Sequence, residues 1–136
     1  MSDLETKAGS VRAPMVLIVD PDATVFELMD RILRRVGCTV NMVRTGREAL
    51  AFAKEHLPDA ITLEVELSDI DGWAILAAIK GDPALAHIPV ILVTIVDEKK
   101  RGYALGAADY LVKPVDRKYL AETLISLFSG DAKSMH

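Results

Sequence analysis

The chain has 136 residues, 51% of them apolar, and a formal net charge of −4; that suits one domain able to bury its own core. The acidic balance gives no support for a nucleic-acid or anionic-membrane surface, and no apolar run approaches the roughly 18 residues of a membrane span. A single cysteine, Cys38, excludes an internal disulfide and suits a reducing, cytoplasmic compartment, and the scattered His56, His87 and His136 lack zinc-ligand spacing.

Residues 1–14 are polar, rich in small residues and without periodicity, and are read as a flexible lead with no secretory h-region. Met15–Val19 is an apolar run suited to a buried strand. Over Asp22–Val36 the residues Val25, Phe26, Leu28, Met29, Ile32, Leu33 and Val36 fall at helical spacing, and Gly37 suits the left-handed position just past that helix. Thr39–Val43 reads as a second strand. Thr45 caps a helix over Gly46–His56. Ala60–Leu63 is a third strand, and Gly72–Lys80 a helix stopped by Gly81-Asp82-Pro83. Pro89–Thr94 is a strand that starts on a proline, which a first position tolerates. A less apolar helix covers Asp97–Leu105, with Gly106 after it. Ala108–Val112 is the fifth strand. Asp116 caps a last helix running to about Phe128, so the domain spans 15–128, and residues 129–136 are read as a short tail.

Five strand–helix units in succession predict an α/β fold: a doubly wound, five-stranded parallel sheet in the order 2-1-3-4-5, with helices on both faces and right-handed crossovers. Ligand sites in such sheets lie beyond the carboxyl ends of the strands, where strand order reverses. That rule gathers Asp20, Glu64, Thr94 and Lys113 around one crevice.

The residues at these strand ends carry a family likeness. Leu17-Ile18-Val19-Asp20, Pro58-Asp59-Ala60-Ile61-Thr62-Leu63-Glu64, Asp71-Gly72-Trp73, Ile88 to Thr94, Gly106 to Tyr110 and Lys113-Pro114 occur in an order and spacing that are specific together. Over about residues 15–128 the chain resembles the receiver domain of two-component response regulators, which have a flavodoxin-like fold. Thr94-Ile95-Val96-Asp97 and Leu105-Gly106-Ala107-Ala108-Asp109-Tyr110 look most like receivers attached to hybrid histidine kinases. The resemblance implies an acceptor carboxylate at the end of the third strand, phosphorylated by a histidine kinase. It also implies an acid pair that holds Mg²⁺ after the first strand, a hydroxyl and a lysine that contact the phosphoryl group, and an aromatic switch. Carried over by position, the acceptor falls on Glu64, the acid pair on Asp20 and Pro21, the hydroxyl on Thr94, the lysine on Lys113 and the switch on Tyr110. The family's cis bond falls on Lys113-Pro114.

Two departures touch the chemistry. Glu64 stands where the family has Asp, and its carboxylate projects about 1.5 Å further; misplacing an attacking oxygen by about 1 Å can cost about 100-fold in rate. Pro21 supplies no carboxylate and no backbone donor, and Mg²⁺ demands near-octahedral oxygen geometry. Mg²⁺ is therefore expected to bind weakly at most, through Asp20, and no other cofactor is expected. Asp22 is read as a helix cap, the alternative being an acid that turns inward to replace the missing ligand, and Glu66, Asp69 and Asp71 as solvated loop acids. Glu66 would repel a phosphate.

Glu64 is expected to pair with Lys113, which would fix the pocket in one state and resemble a phosphorylation mimic, with about one negative charge against nearly two. Lys99-Lys100-Arg101 reads as a solvated run, or as a partner-docking patch with Tyr103, Arg117, Lys118 and Tyr119. Trp73 and Cys38 are assigned to packing.

These expectations make the chain a non-enzymatic signalling module of a phosphorelay. It would be degenerate at its acceptor and would act through contacts of the fourth helix, fifth strand and fifth helix with a histidine kinase or a downstream protein, or with a second copy. The alternative is a conventional phosphorylatable, Mg²⁺-dependent receiver, with Glu64 natural or an engineered phosphomimetic. A flavin or nucleotide enzyme of flavodoxin type is disfavoured because Asp20-Pro21-Asp22-Ala23-Thr24 is acidic and lacks glycine. A DNA-binding regulator is disfavoured because no helix-turn-helix pattern is visible.

Overall fold

The computed structural model describes residues 12–129; the greater part of the expected lead and all but the first residue of the expected tail lie outside that range. Five strands, β1 (Met15–Val19), β2 (Thr39–Val43), β3 (Ala60–Leu63), β4 (Val90–Thr94) and β5 (Asp109–Val112), alternate with five helices. These are α1 (Ala23–Arg35), α2 (Gly46–His56), α3 (Gly72–Gly81), α4 (Lys99–Ala104) and α5 (Arg117–Ser129). The sheet is fully parallel in the order β2-β1-β3-β4-β5, as expected from the alternation.

Strand side chains alternate between two cores. Val16, Ile18, Ile91, Val93 and Leu111 face α1 and α5, where Met29, Leu33, Leu120 and Leu124 close the layer. Leu17, Val19, Ile61, Leu63 and Leu92 face the other way, onto Ala49 and Ala53 of α2 and Ile75, Leu76 and Ile79 of α3. Because both faces are covered, the central strands read as continuous apolar runs.

Helix entry is set by short polar side chains. Asp22 accepts from Thr24 N at 2.9 Å, Thr45 forms a capping box with Glu48, and Asp116 accepts from Tyr119 N at 3.0 Å. Asp71 caps α3 through Trp73 N at 2.9 Å. Asp69 accepts from Gly46 N and Arg47 N at 2.8 and 3.0 Å, tying the β3–α3 loop to the start of α2. These two acids, expected to be simply solvated, are structural ligands of helix N-termini. Gly37 takes the left-handed conformation past α1 at φ 90°.

Two boundaries differ from expectation. α4 begins at Lys99, two residues late, because Val96 and Glu98 hydrogen-bond through their backbones to the Tyr110 hydroxyl and Glu98 makes no capping bond. At the other end of the chain, residues 12–14 are tied to the domain. The Arg12 guanidinium pairs with Asp59 at 3.0 Å, and the Pro14 carbonyl accepts from Thr39 N at 2.8 Å.

Candidate functional site

The crevice at the carboxyl ends of β1, β3, β4 and β5 is built by four loops. Asp20 follows β1 directly, and its Oδ1 accepts from Asp22 N at 2.9 Å, which turns the chain into α1. Glu64 follows β3; its backbone is fixed by Glu64 N donating to the Val19 carbonyl at 3.0 Å. Behind it, Gly72 lets the start of α3 press against the strand end. A Cβ there would lie 2.3 Å from Val65 Cα and 2.7 Å from the Glu64 carbonyl oxygen. Thr94 closes β4. Lys113 follows β5, with its N–H on the Thr94 carbonyl at 2.8 Å and a cis bond to Pro114, as in the family expectation.

Their side chains meet in one network. The Lys113 ammonium lies 2.7 Å from Glu64 Oε1 and 2.8 Å from Asp20 Oδ2, bridging the two carboxylates. Glu64 Oε2 accepts from the Thr94 hydroxyl and, at 3.0 Å, from Glu66 N. The Thr94 oxygen in turn accepts from Val96 N at 3.2 Å. Asp20, Glu64 and Thr94 are 3%, 5% and 0% exposed, so the network is desolvated and its charges are screened little by solvent. Burial pushes the Glu64 carboxyl upward, but the Lys113 ammonium, the Thr94 hydroxyl and the Glu66 amide outweigh it and hold it below its usual range. Burial likewise pushes Lys113 down, and the two carboxylates more than reverse that.

Four of the expected site residues thus share one contact network. Pro21 and Pro114 are exposed on its rim, and Glu66 and Asp22 are exposed too. Among the described residues no group of three or more His, Cys, Asp or Glu side chains is gathered for a metal ion.

Tyr110 is buried on the α2–α3–α4 face. Its hydroxyl donates to the Val96 carbonyl and accepts from Glu98 N at 3.1 Å, so it holds the loop that follows Thr94. Its ring lies 6.5 Å from both Trp73 and Tyr103. Gly102 of α4 makes room for it: a Cβ there would lie 2.6 Å from Tyr110 Cδ2. The Arg101 guanidinium stacks on Trp73 at 4.4 Å and links α4 to α3. Neither the Gly102 notch nor this stack was visible in the sequence, because each joins residues from different elements.

The expected basic patch divides. Arg101 belongs to the Trp73 stack. Tyr103 and Tyr119 donate to the Asp109 carboxylate at 3.0 and 2.8 Å, joining α4, β5 and α5 across one face. Arg117 and Lys118 instead line a groove against α1.

Comparison with known proteins agrees with this geometry. Residues 16–125 match the family model of the response regulator receiver domain. The chain belongs to the response regulator receiver family. PleD, a response regulator from Caulobacter vibrioides, is 35% identical over 115 residues; the match covers 82% of this chain and 25% of PleD. The receiver therefore spans about a quarter of that relative. Among solved structures, the receiver domain of a signal transduction histidine kinase from Syntrophus aciditrophicus superposes with a TM-score of 0.80 at 37% identity, covering 87% of this chain and 92% of that one. The chemotaxis response regulator CheY4 of Vibrio cholerae does so with a TM-score of 0.78 at 28% identity, covering 85% and 99%.

Proposed function

We propose that this receiver is a degenerate signalling module. Its pocket is held in one state by its own ion pairs, and it works through protein contacts without accepting phosphate at a useful rate. The observation that carries this reading is the Lys113 ammonium bridging Asp20 and Glu64, with the Thr94 hydroxyl on the same Glu64 carboxylate. The two groups that would grip an incoming phosphoryl group are engaged by the acceptor itself. A divalent ion fits this donor set poorly. Its two carboxylates already share a cation, and Pro21 adds no oxygen beside them, whereas Mg²⁺ needs several oxygens in strict geometry.

The state so fixed has the Thr94 hydroxyl turned to Glu64 and Tyr110 turned inward. The α4–β5–α5 face, clasped by Tyr103, Asp109 and Tyr119, is its reader surface. A histidine kinase, a downstream signalling protein or a second copy of the receiver would bind there, in the cytoplasm, without catalysis by this chain. The likeness to the Syntrophus kinase receiver supports an origin beside a hybrid kinase.

A second reading rests on the same geometry. Thr94 and Lys113 are both aimed at the acceptor position, so Glu64 could attack an acyl phosphate and release the carboxylate leaving group, as in a conventional Mg²⁺-dependent receiver. Mass spectrometry after acetyl phosphate and Mg²⁺ treatment separates the two. The degenerate reading expects no adduct on the unmodified chain or on Glu64→Asp alone, and recovery in Glu64→Asp combined with Pro21→Asp. A Mg²⁺-dependent phosphoryl adduct mapped to Glu64 of the unmodified chain would establish the second reading instead.

A further inference from the structure

Away from the Glu64 pocket, α1 and α5 flank an open groove with room for about 410 Å³, within the roughly 300–1,000 Å³ usual for small-molecule sites. Leu28, Ile32, Val36 and Ala121 give it an apolar lining. The first three are spaced i, i+4, i+8 and form one stripe along α1. The remaining lining residues are all cations: Arg31 and Arg35 from α1, Arg117 and Lys118 from α5. All four are exposed, and none takes part in a salt bridge among the described residues. The acids of α1 do not supply one. Glu27 and Asp30 share the adjoining groove along α1 with Arg31, Arg34 and Arg35, but neither lies within salt-bridge distance of Arg31 or Arg35, and Asp30 is held by Arg34 at 2.7 Å. Four cations that make no salt bridge among the described residues thus rim an apolar floor on a chain whose overall charge is −4.

We propose that this groove binds a nucleoside polyphosphate. The charge pattern asks for several adjacent anionic groups, and three of the four cations are guanidiniums, which bind phosphate oxygens in bidentate fashion. The aliphatic stripe asks for a flat or apolar body beside those groups, which inorganic anions lack. Both walls of the groove follow directly from the loops that carry the site: α1 begins three residues after Asp20, and Arg117 lies four residues after Lys113. A ligand bridging α1 and α5 would give the receiver an input that does not pass through Glu64. This site is separate from the acceptor pocket and does not depend on that pocket's being degenerate.

Calorimetric titration of the full chain with adenosine and guanosine triphosphates, free of Mg²⁺, tests it, with inorganic triphosphate and adenosine as the two half-ligands. Expected are saturable binding of at least one nucleotide, at least about tenfold tighter than either half-ligand, and weakening as salt rises. Backbone amide shifts should map to Leu28–Val36 and Arg117–Ala121. Arg35→Ala with Arg117→Ala should weaken binding at least about tenfold, the loss of one charged hydrogen bond or more. Both positions are exposed, so the thermal midpoint should hardly move, and Arg31→Glu gives an independent charge reversal. No saturable binding at millimolar nucleotide would overturn the proposal. So would equal affinity for inorganic triphosphate, or binding that the Arg35/Arg117 variant leaves unchanged.

Discussion

The buried crevice and the α1–α5 groove treat charge in opposite ways. In the crevice Asp20 and Glu64 are withdrawn from water, and the half-buried Lys113 is paired with both acids. In the groove Arg31, Arg35, Arg117 and Lys118 stay in solvent without ion partners among the described residues. An unpaired buried charge is costly, so the crevice gives both acids one shared counter-ion. An exposed cation is stabilised by water and is free for a partner. A pocket whose one cation is already shared by two carboxylates is poorly placed to receive a new anionic group, and a groove whose cations make no salt bridge among the described residues is well placed to do so.

The most disruptive test of this contrast is Lys113→Met. It leaves two buried carboxylates facing each other, and it should cost about 3–5 kcal/mol in denaturant unfolding. The corresponding change in the groove, Arg35→Met, should stay within about 0.5 kcal/mol. If the two variants cost the same, the crevice is more open to water than its burial indicates.

Next in size is Gly102→Ala. Its added methyl would meet the inward Tyr110 ring at 2.6 Å and Leu92 Cδ1 at 2.8 Å. An overpacking cost of about 1–3 kcal/mol is expected. It should come with a change in Trp73 fluorescence as the ring and the Arg101–Trp73 stack separate, while the Glu64–Lys113 pair persists.

The acid limb of stability sharpens the same contrast. Because the folded-state pKa of Glu64 lies below its ordinary value of 4.5, its contribution is fully present above that value. It is lost as pH falls towards the lower folded-state value. Lys113 is shifted upward, so its contribution is fully present below 10.5 and is lost only as pH rises through its raised value. Glu64→Gln should therefore flatten the fall in stability below about pH 4.5, read from thermal midpoints across the acid range. An unchanged slope would mean that Glu64 is not an ionised partner of Lys113.

The smallest effect is expected at the exposed Arg34–Asp30 pair. Arg34→Ala should cost about 0.3–0.5 kcal/mol, and less at high salt.

The sequence by itself determined the alternating strands and helices of a parallel sheet from local periodicity, and the convergence of Asp20, Glu64, Thr94 and Lys113 from the rule that such sheets bind at the carboxyl ends of their strands; the strand order is the one that the receiver resemblance implies. The caps at Asp22, Thr45 and Asp116 were legible for the same reason: each acts within one turn of itself. Only the tertiary structure decided that one ammonium bridges both acids, that Asp69 closes α2 from 22 residues away, and that Tyr110 fits the space left by Gly102. It alone turned Arg117 and Lys118 towards α1 and away from Tyr103 and Tyr119. Those facts depend on distances between elements remote in the chain, where helix packing fixes the side-chain geometry and the residue order carries no local trace of it.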